Sequence, residues 1–430
     1  MFRKGIVIEM KNNRISISDN SRLMEALAKF ASARILVGIR DGLAMIIPFT
    51  FIGSIFMIIG YFPIAGWSDK VASVQYFFDS AVNVTFGALG LLAAIGIGYH
   101  LAKQYDNVDP FSNSCMTVIV YLLATLGKDF TVSVENLSAE GMFTAILVAI
   151  LVTYIHKFFI SHNLIIHMPA GVPDALTRSF SSLLPAAAAI AVVWLIRVVF
   201  NIDINGLIQM MFSPLVKGVD TFWGGLIYCF LMSFLWTLGI HGDLALSGVV
   251  TPIFLQLTAE NTAALAAGQT IPHIMADSMV PMFVQFTGTG CTIGLVILML
   301  RSKCKRYQEL GKISLLPAVF NINEPVTFGF PICMNPLMAI PYIGAECITF
   351  ALTYLLMATG IIGKVCLEVS GFMPAIIGSY MCTNGNIPAV IWSLLEIPLV
   401  VAIYKPFFDS QEKIELAHEA EAEKAAQESK

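Results

Sequence analysis

The run Phe320-Asn-Ile-Asn-Glu-Pro-Val-Thr-Phe-Gly-Phe-Pro331 decides how the rest of the chain is read. It sets a carboxylate, two amides and two prolines inside surroundings that are otherwise apolar. In lipid, backbone polar groups must be satisfied within the protein. A Pro-broken segment at membrane depth therefore survives only where protein or a watery cavity surrounds it. An ionisable side chain there is costly and marks a functional site by default. The stretch reads as the wall of a polar cavity inside a membrane-embedded protein.

Composition agrees. Of 430 residues, 57% are hydrophobic and 13% charged, against about 25% charged in a soluble domain. The expected fold is an all-α polytopic membrane protein. The net charge of −4 says little about partners, because the charges sit in a few places. The first 34 residues carry seven Lys or Arg and show no secretory signal pattern,. That charge before the first apolar run favours a cytoplasmic N-terminus. Eight cysteines form no CxxC pair and have no His at metal spacing, so no metal site is expected,. Cys304, inside Arg301-Ser-Lys-Cys-Lys-Arg306, is either a thiol activated by nearby cations or a chance residue of a basic loop,.

A spanning helix needs about 20 mostly apolar residues. Clear candidates are Ile35–Gly60, Val84–Leu101, Met142–Ile160, Leu183–Phe200, Met279–Leu300, Leu337–Ala358 and Ile387–Tyr404. Ser114–Leu126, Phe222–Leu238 and Gly242–Leu257 are shorter or interrupted by glycine, and bring the expectation to ten crossings. Counted from a cytoplasmic start, the eighth crossing ends at Arg301, Lys303, Lys305, Arg306 and Lys312, where positive charge belongs,. The outer loops Tyr61–Asn83 and Thr258–Ser278 hold one Lys and no Arg. Both termini are then cytoplasmic.

Two apolar stretches do not fit as crossings. Ile313–Cys333 is broken by Pro317, Pro325 and Pro331, and Cys366–Asn386 by Gly371, Pro374, Gly378 and Gly385. They read as two re-entrant hairpins of opposite orientation, the discontinuous elements from which transporters build midplane sites. Two short irregular full crossings are the rival reading. His162–Phe180 reads as an amphipathic surface segment, and Asp409–Lys430 as a solvated helix or disordered end,. The chain divides into a cytoplasmic segment (1–34), two transmembrane halves (35–220 and 221–408) and a cytoplasmic tail (409–430).

Glu324 leads the candidate site. A buried carboxylate without partners costs several kcal/mol, so donors should lie close, from Asn321, Asn323 or a bound ligand. The structural alternative ties it to backbone donors at a helix end. His241, in Trp236-Thr-Leu-Gly-Ile-His-Gly-Asp243, is both donor and acceptor when neutral,. It suits a hydroxyl-rich ligand or is a satisfied structural group. Trp236 offers a stacking face or plain packing. Gln285 is an uncharged amide within a crossing, fit for a ligand or for interhelical hydrogen bonding. Asn384, beside Asn386 in Cys382-Thr-Asn-Gly-Asn386, is a ligand residue or part of a turn,. The roles of Glu346, Glu396 and Arg197 stay open. No P-loop, GxGxxG or HExxH is present, and no basic tract with interleaved aromatics points to nucleic acid,.

The runs Ile39-Arg-Asp-Gly-Leu-Ala-Met-Ile-Ile-Pro-Phe-Thr-Phe-Ile-Gly-Ser-Ile-Phe56, Gly239-Ile-His-Gly242 and Phe320-Asn-Ile-Asn-Glu-Pro-Val-Thr-Phe-Gly329 resemble the membrane C component, enzyme IIC, of bacterial sugar phosphotransferase systems. The similarity is to the lactose/cellobiose/chitobiose branch and runs from about Ala31 to Phe408. It implies ten helices with two re-entrant hairpins, a dimerising N-terminal half and a mobile C-terminal half holding one β-linked disaccharide. Positions matching His241 and Glu324 contact the sugar near the hydroxyl that becomes phosphorylated. Asn321, Asn323, Gln285, Trp236 and Asn384 join them as substrate-binding candidates.

The resemblance implies no cofactor. A separate cytoplasmic B component brings phosphate on a cysteine, and the chain sits in the bacterial cytoplasmic membrane, likewise as a homodimer. Whether this chain counts as an enzyme is left open, because phosphorylation is shared with that partner. A proton- or sodium-coupled sugar symporter is the alternative function, and a channel-like facilitator a third.

Overall fold

The computed structural model describes residues 29, 32–61, 67–127, 129–132, 135–169 and 171–428. The expected N-terminal cytoplasmic segment lies almost wholly outside them. The described chain is mainly helical, and its helices begin where the sequence supplies caps. Asp109 Oδ2 accepts the Ser112 N–H at 2.7 Å ahead of Pro110. Thr221 accepts from Gly224 N, and Asn335 from Leu337 N ahead of Pro336. Each cap satisfies a donor that the first helical turn leaves open, and proline suits the first helical position because its missing N–H is not needed there.

Among the described residues, seven helices are long and apolar enough to cross a membrane, or eight if one bent pair counts as a span. The expected ten is not reached by that measure. Pro110–Ala124 is a shorter apolar helix, and Phe222–Thr237 follows Ile204–Val219 at a bend of 78°. The Met279–Leu300 run is apolar throughout yet is not one helix. It breaks between Gln285 and Thr292, leaving Ile293–Leu300 as its helical remainder. Gly242–Leu257, expected as a short span, is part of a 25-residue helix, Gly242–Ala266. The chain is a multi-pass membrane protein.

Both Pro- and Gly-broken stretches enter and return. Tyr307, just ahead of the first stretch, and Phe330, near its end, bring their rings to 4.7 Å, so the chain returns to where it entered. In the second, the N–H groups of Cys366 and Leu367 both donate to Cys382 O, at 2.8 and 3.1 Å. Adjacent ends make re-entrant hairpins and exclude two full crossings. Their tips meet: Asn321 Nδ2 donates to Gly371 O at 2.7 Å and to Met373 O at 3.1 Å.

The helices pack in two groups, one around Leu89–Ala102 and one around Ile293–Leu300 and Pro336–Ala358. In the first, a Cβ on Gly96 would stand 2.3 Å from Gly42 O, so only glycine lets the Arg34–Ala44 helix approach so closely,. The groups meet where Gly242–Ala266 packs against Arg34–Ala44.

A charged clasp lies beyond the Gly242–Ala266 helix. His273 Nδ1 is 2.9 Å from Asp220 Oδ2, and its Nε2 is 2.6 Å from Glu260 Oε2. Asp220 Oδ1 also accepts the Ile274 and Met275 N–H groups. Burial opposes a charge on this imidazole, but hydrogen bonds to Asp220 and Glu260 outweigh it and push the pKa up to about 9. An unfolded histidine titrates near 6.5. The stabilisation is therefore whole below about pH 6.5 and is lost as pH rises through about 9. At its fullest it is about 3 kcal/mol. Thermal unfolding of the purified protein should show Tm falling over that window, and His273→Gln should flatten the fall. An unchanged slope in His273→Gln would leave the clasp without a role in pH stability.

Candidate functional site

A cavity of ≈ 260 Å³ opens where the hairpin tips meet the broken helix. Trp236, His241, Gln285, Asn321, Asn323 and Glu324 all line it, with Asp243, Thr289 and Phe372. The short Glu324–Gly329 helix begins at Glu324, whose exposed carboxylate takes no hydrogen bond from the described residues. Asn321 and Asn323 do not supply the donors expected of them. The Asn321 amide is spent on Gly371 O and Met373 O, and that of Asn323 on Thr289 O at 2.7 Å. Their geometry makes them braces of the wall that carries Glu324.

His241 caps the Gly242–Ala266 helix, its Nδ1 accepting the Leu244 N–H at 3.4 Å. An acceptor Nδ1 places the neutral ring's proton on Nε2, which becomes a donor. Trp236 is 2% exposed, its ring centroid 4.3 Å from that of His241, and its Nε1 donates to Asp243 Oδ2 at 3.1 Å. Little of the indole is left for a ligand, so packing and positioning account for most of it. Phe372, 67% exposed, offers a larger free aromatic face. Gln285 Nε2 donates to Met232 Sδ at 2.7 Å and to Asp243 Oδ1 at 3.3 Å.

The segment carrying Thr289 is conformationally unusual. Thr287, Gly288, Gly290 and Cys291 all have positive φ, at 67°, 95°, 78° and 54°. On Thr287 and Cys291, which are not glycine, such a backbone persists only where the surroundings over-determine it. Thr287 N donates to Asn321 Oδ1 at 3.0 Å, and Gly290 N to Glu346 Oε2 at 2.9 Å. Tyr404 donates its hydroxyl to Gly290 O at 2.6 Å. Glu346 is thus a buried brace beneath the site.

Asn384 is not among the lining residues. It takes φ 51° in a turn closed by Gly385 N donating to Tyr380 O at 2.7 Å. Glu396 accepts from Thr353 at 3.2 Å within the helix packing. Arg197 donates to Leu126 O and Gly127 O, with its guanidinium over the Phe130 ring. Cys304 is fully buried, which removes it from the accessible thiols despite its cationic neighbours,.

Sequence reasoning passed over Asp243 as a ligand-facing residue, although it stands two positions after His241. Its carboxylate accepts from Trp236, Gln285 and Thr289 and ties the cavity's walls together. Thr289 and Phe372 carried no local signal.

The family model described as "Phosphotransferase system, EIIC" matches residues 40–345. The lichenan permease IIC component of Bacillus subtilis (strain 168) is 32% identical over 96% of this chain and 96% of its own length. The cellobiose-specific EIIC component of the phosphotransferase system of Geobacillus stearothermophilus is 32% identical over 93% and 94%. The crystal structure of the transporter ChbC, the IIC component from the N,N'-diacetylchitobiose-specific phosphotransferase system, aligns with a TM-score of 0.89. It is 33% identical and the match covers 93% of this chain and 99% of that one. With the family model spanning most of its length and relatives above 30% identity along nearly all of it, this chain belongs to the phosphotransferase system EIIC family.

Proposed function

We propose that the cavity binds a β-linked disaccharide of the cellobiose, chitobiose or lactose type and presents its 6-hydroxyl to a phosphocysteine on a B component. The observation that carries this reading is Glu324: an exposed carboxylate, with no hydrogen bond from the described residues, facing a polar cavity that the free aromatic face of Phe372 also lines. Glu324 accepts the 6-hydroxyl's hydrogen and aims its oxygen. That oxygen attacks phosphorus as the S–P bond breaks, sulfur leaves as thiolate, and the hydroxyl proton passes to Glu324 or solvent. Phosphoryl transfer is largely dissociative, so positioning outweighs strong base catalysis. His241 Nε2–H is the second contact on the sugar. The added charge then makes return through an apolar path costly.

The B component is a separate protein in this reading. An EIICB component, named as lactose-specific, of Lacticaseibacillus casei is 27% identical, and the match covers 71% of its length and 93% of this chain. The basic 301–306 loop meets the C-terminal helix, where Arg306 pairs with Glu415 at 2.6 Å and Ser302 donates to Glu412 at 2.5 Å. A shared face for that loop and the tail supports a cytoplasmic C-terminus in the bacterial inner membrane. Arg301 and Lys303 remain exposed on it as contacts for the partner. The 35–220 half serves as scaffold and dimer contact, and the 221–408 half carries the sugar across.

One assay tests the reading. Vesicles holding this protein receive radiolabelled disaccharide, phosphoenolpyruvate and the soluble components. Internal sugar phosphate supports the proposal. Free sugar accumulated by an ion gradient would replace it with a symporter, and equilibration without accumulation with a facilitator.

A further inference from the structure

Away from the cavity, three segments converge at one end of the spanning helices. They are the start of Arg34–Ala44, the turn after Leu89–Ala102 and the last turns of Met142–Ser161. The turn holds Tyr105, buried with Leu101, Ala102 and Val108, and Ile35 packs against them. Two cations from the other segments close on that single ring. The Arg34 guanidinium carbon is 5.3 Å from its centroid and Lys157 Nζ is 4.5 Å from it. Tyr154 extends the cluster: the Tyr105 hydroxyl donates to that of Tyr154 at 3.4 Å, and Lys157 Nζ is 5.9 Å from the Tyr154 ring. Neither Arg34 nor Lys157 forms an ion pair or a side-chain hydrogen bond with the described residues. Of the acids in the same turn, Asp109 accepts the Ser112 N–H and faces Arg178 at 3.8 Å, and Asp106 is exposed.

We propose that the phosphate of an anionic phospholipid binds between Arg34 and Lys157 over the Tyr105 ring. The lipid belongs to the leaflet that this end of the helices meets, the cytoplasmic one in the orientation proposed above, and the site stands apart from the sugar reading. Two like charges gathered on one neutral ring repel each other, and the attraction of an exposed cation for an aromatic face is weak. An anion between them turns that repulsion into two charge-assisted contacts, and a phosphate fits the guanidinium fork and the ammonium alike. The surroundings favour a lipid over a soluble phosphate. Tyr154, Lys157 and Phe158 fall at i, i+3 and i+4 on Met142–Ser161, so they share one helix face,. Tyr154 is 43% and Phe158 51% exposed, which turns that face outward at the end of a membrane span. Tyrosine at this level suits the boundary between headgroups and acyl chains. The face therefore sets an apolar surface for an acyl chain beside the cations for its phosphate. A soluble anion would use only the second.

The test is native mass spectrometry of the full-length protein released from nanodiscs that hold equal amounts of phosphatidylglycerol and phosphatidylcholine with matched acyl chains. Wild-type protein should retain phosphatidylglycerol in preference. Arg34→Gln and Lys157→Gln should each lower that preference about fivefold, and the double substitution more than about tenfold. Lys157→Arg keeps the charge and should keep the preference. Lys312→Gln removes an exposed cation that already pairs with Glu309 at 2.7 Å, and should change nothing. If Lys157→Gln does not fold, Arg34→Gln, at an exposed helix start, carries the comparison. Equal retention of the two lipids by wild type, or an unchanged preference in both single variants, overturns the site. Displacement of the bound phosphatidylglycerol by glycerol phosphate, which has the headgroup charge and no acyl chain, overturns the lipid and assigns the two cations to a soluble phosphate.

Discussion

Glu324→Gln should phosphorylate sugar well over tenfold more slowly than wild type, a barrier increase above ~1.4 kcal/mol. Glutamine keeps the volume of glutamate and loses the negative charge. In the present geometry the carboxylate takes no hydrogen bond from the described residues, so its acceptor capacity is open to a ligand. An amide oxygen still accepts, but more weakly than a charged group, and an amide nitrogen presented to the hydroxyl would compete for the same oxygen. Because the carboxylate is exposed in the cavity rather than tied into the fold, the substitution should leave Tm close to wild type. That separates a chemical role from a structural one. Steady-state phosphorylation with a phosphorylated B component is the readout. Wild-type rates in Glu324→Gln would remove this residue from the mechanism, and a matching loss of Tm would return it to scaffolding.

How much of this was legible in the sequence depended on whether a signal was local. The run around Glu324 stood out because charge, amides and prolines interrupt apolar sequence, and the same contrast marked both hairpins. Hydropathy reads only composition, and there it failed. Met279–Leu300 is apolar enough to pass for a span, yet residues 287–291 contain four left-handed conformations. Two of these fall on Thr287 and Cys291, residue types with no preference for that region. Nothing near them in sequence dictates the shape. It is imposed by Asn321, Glu346 and Tyr404, which lie 34, 56 and 114 positions from their partners in the loop. Asp243 was missed for the opposite reason. In the sequence it stands only as a neighbour of His241, and its bonds to Gln285 and Thr289 exist only once the broken helix has folded against it. The amides of Asn321 and Asn323 were noticed, but their partners are backbone carbonyls of other elements, which a single run cannot reveal.

That dependence on distant braces predicts the second large effect. Gly288→Ala should cut sugar phosphorylation and sugar affinity each by more than tenfold, although Gly288 bears no functional group. At φ 95° an alanine is strained whatever the space around it, at a cost of about 1–2 kcal/mol. Space is also lacking. A Cβ there would stand 2.5 Å from Asn323 Cγ and 2.6 Å from its Cβ. Overpacking of this kind costs about 1–3 kcal/mol, and the relief available is to push Asn323 off Thr289 O. Asn323 directly precedes Glu324, so the displacement reaches the carboxylate and the Thr289 wall together. Gly344→Ala is the control: a Cβ there meets nothing within 4 Å, so rate and affinity should stay at wild type. Measured side by side, normal phosphorylation in Gly288→Ala would show that the left-handed segment is tolerant and that Glu324 is placed by something else. A loss confined to Gly288→Ala would show that this wall of the cavity is held in place by close packing of backbone against Asn323.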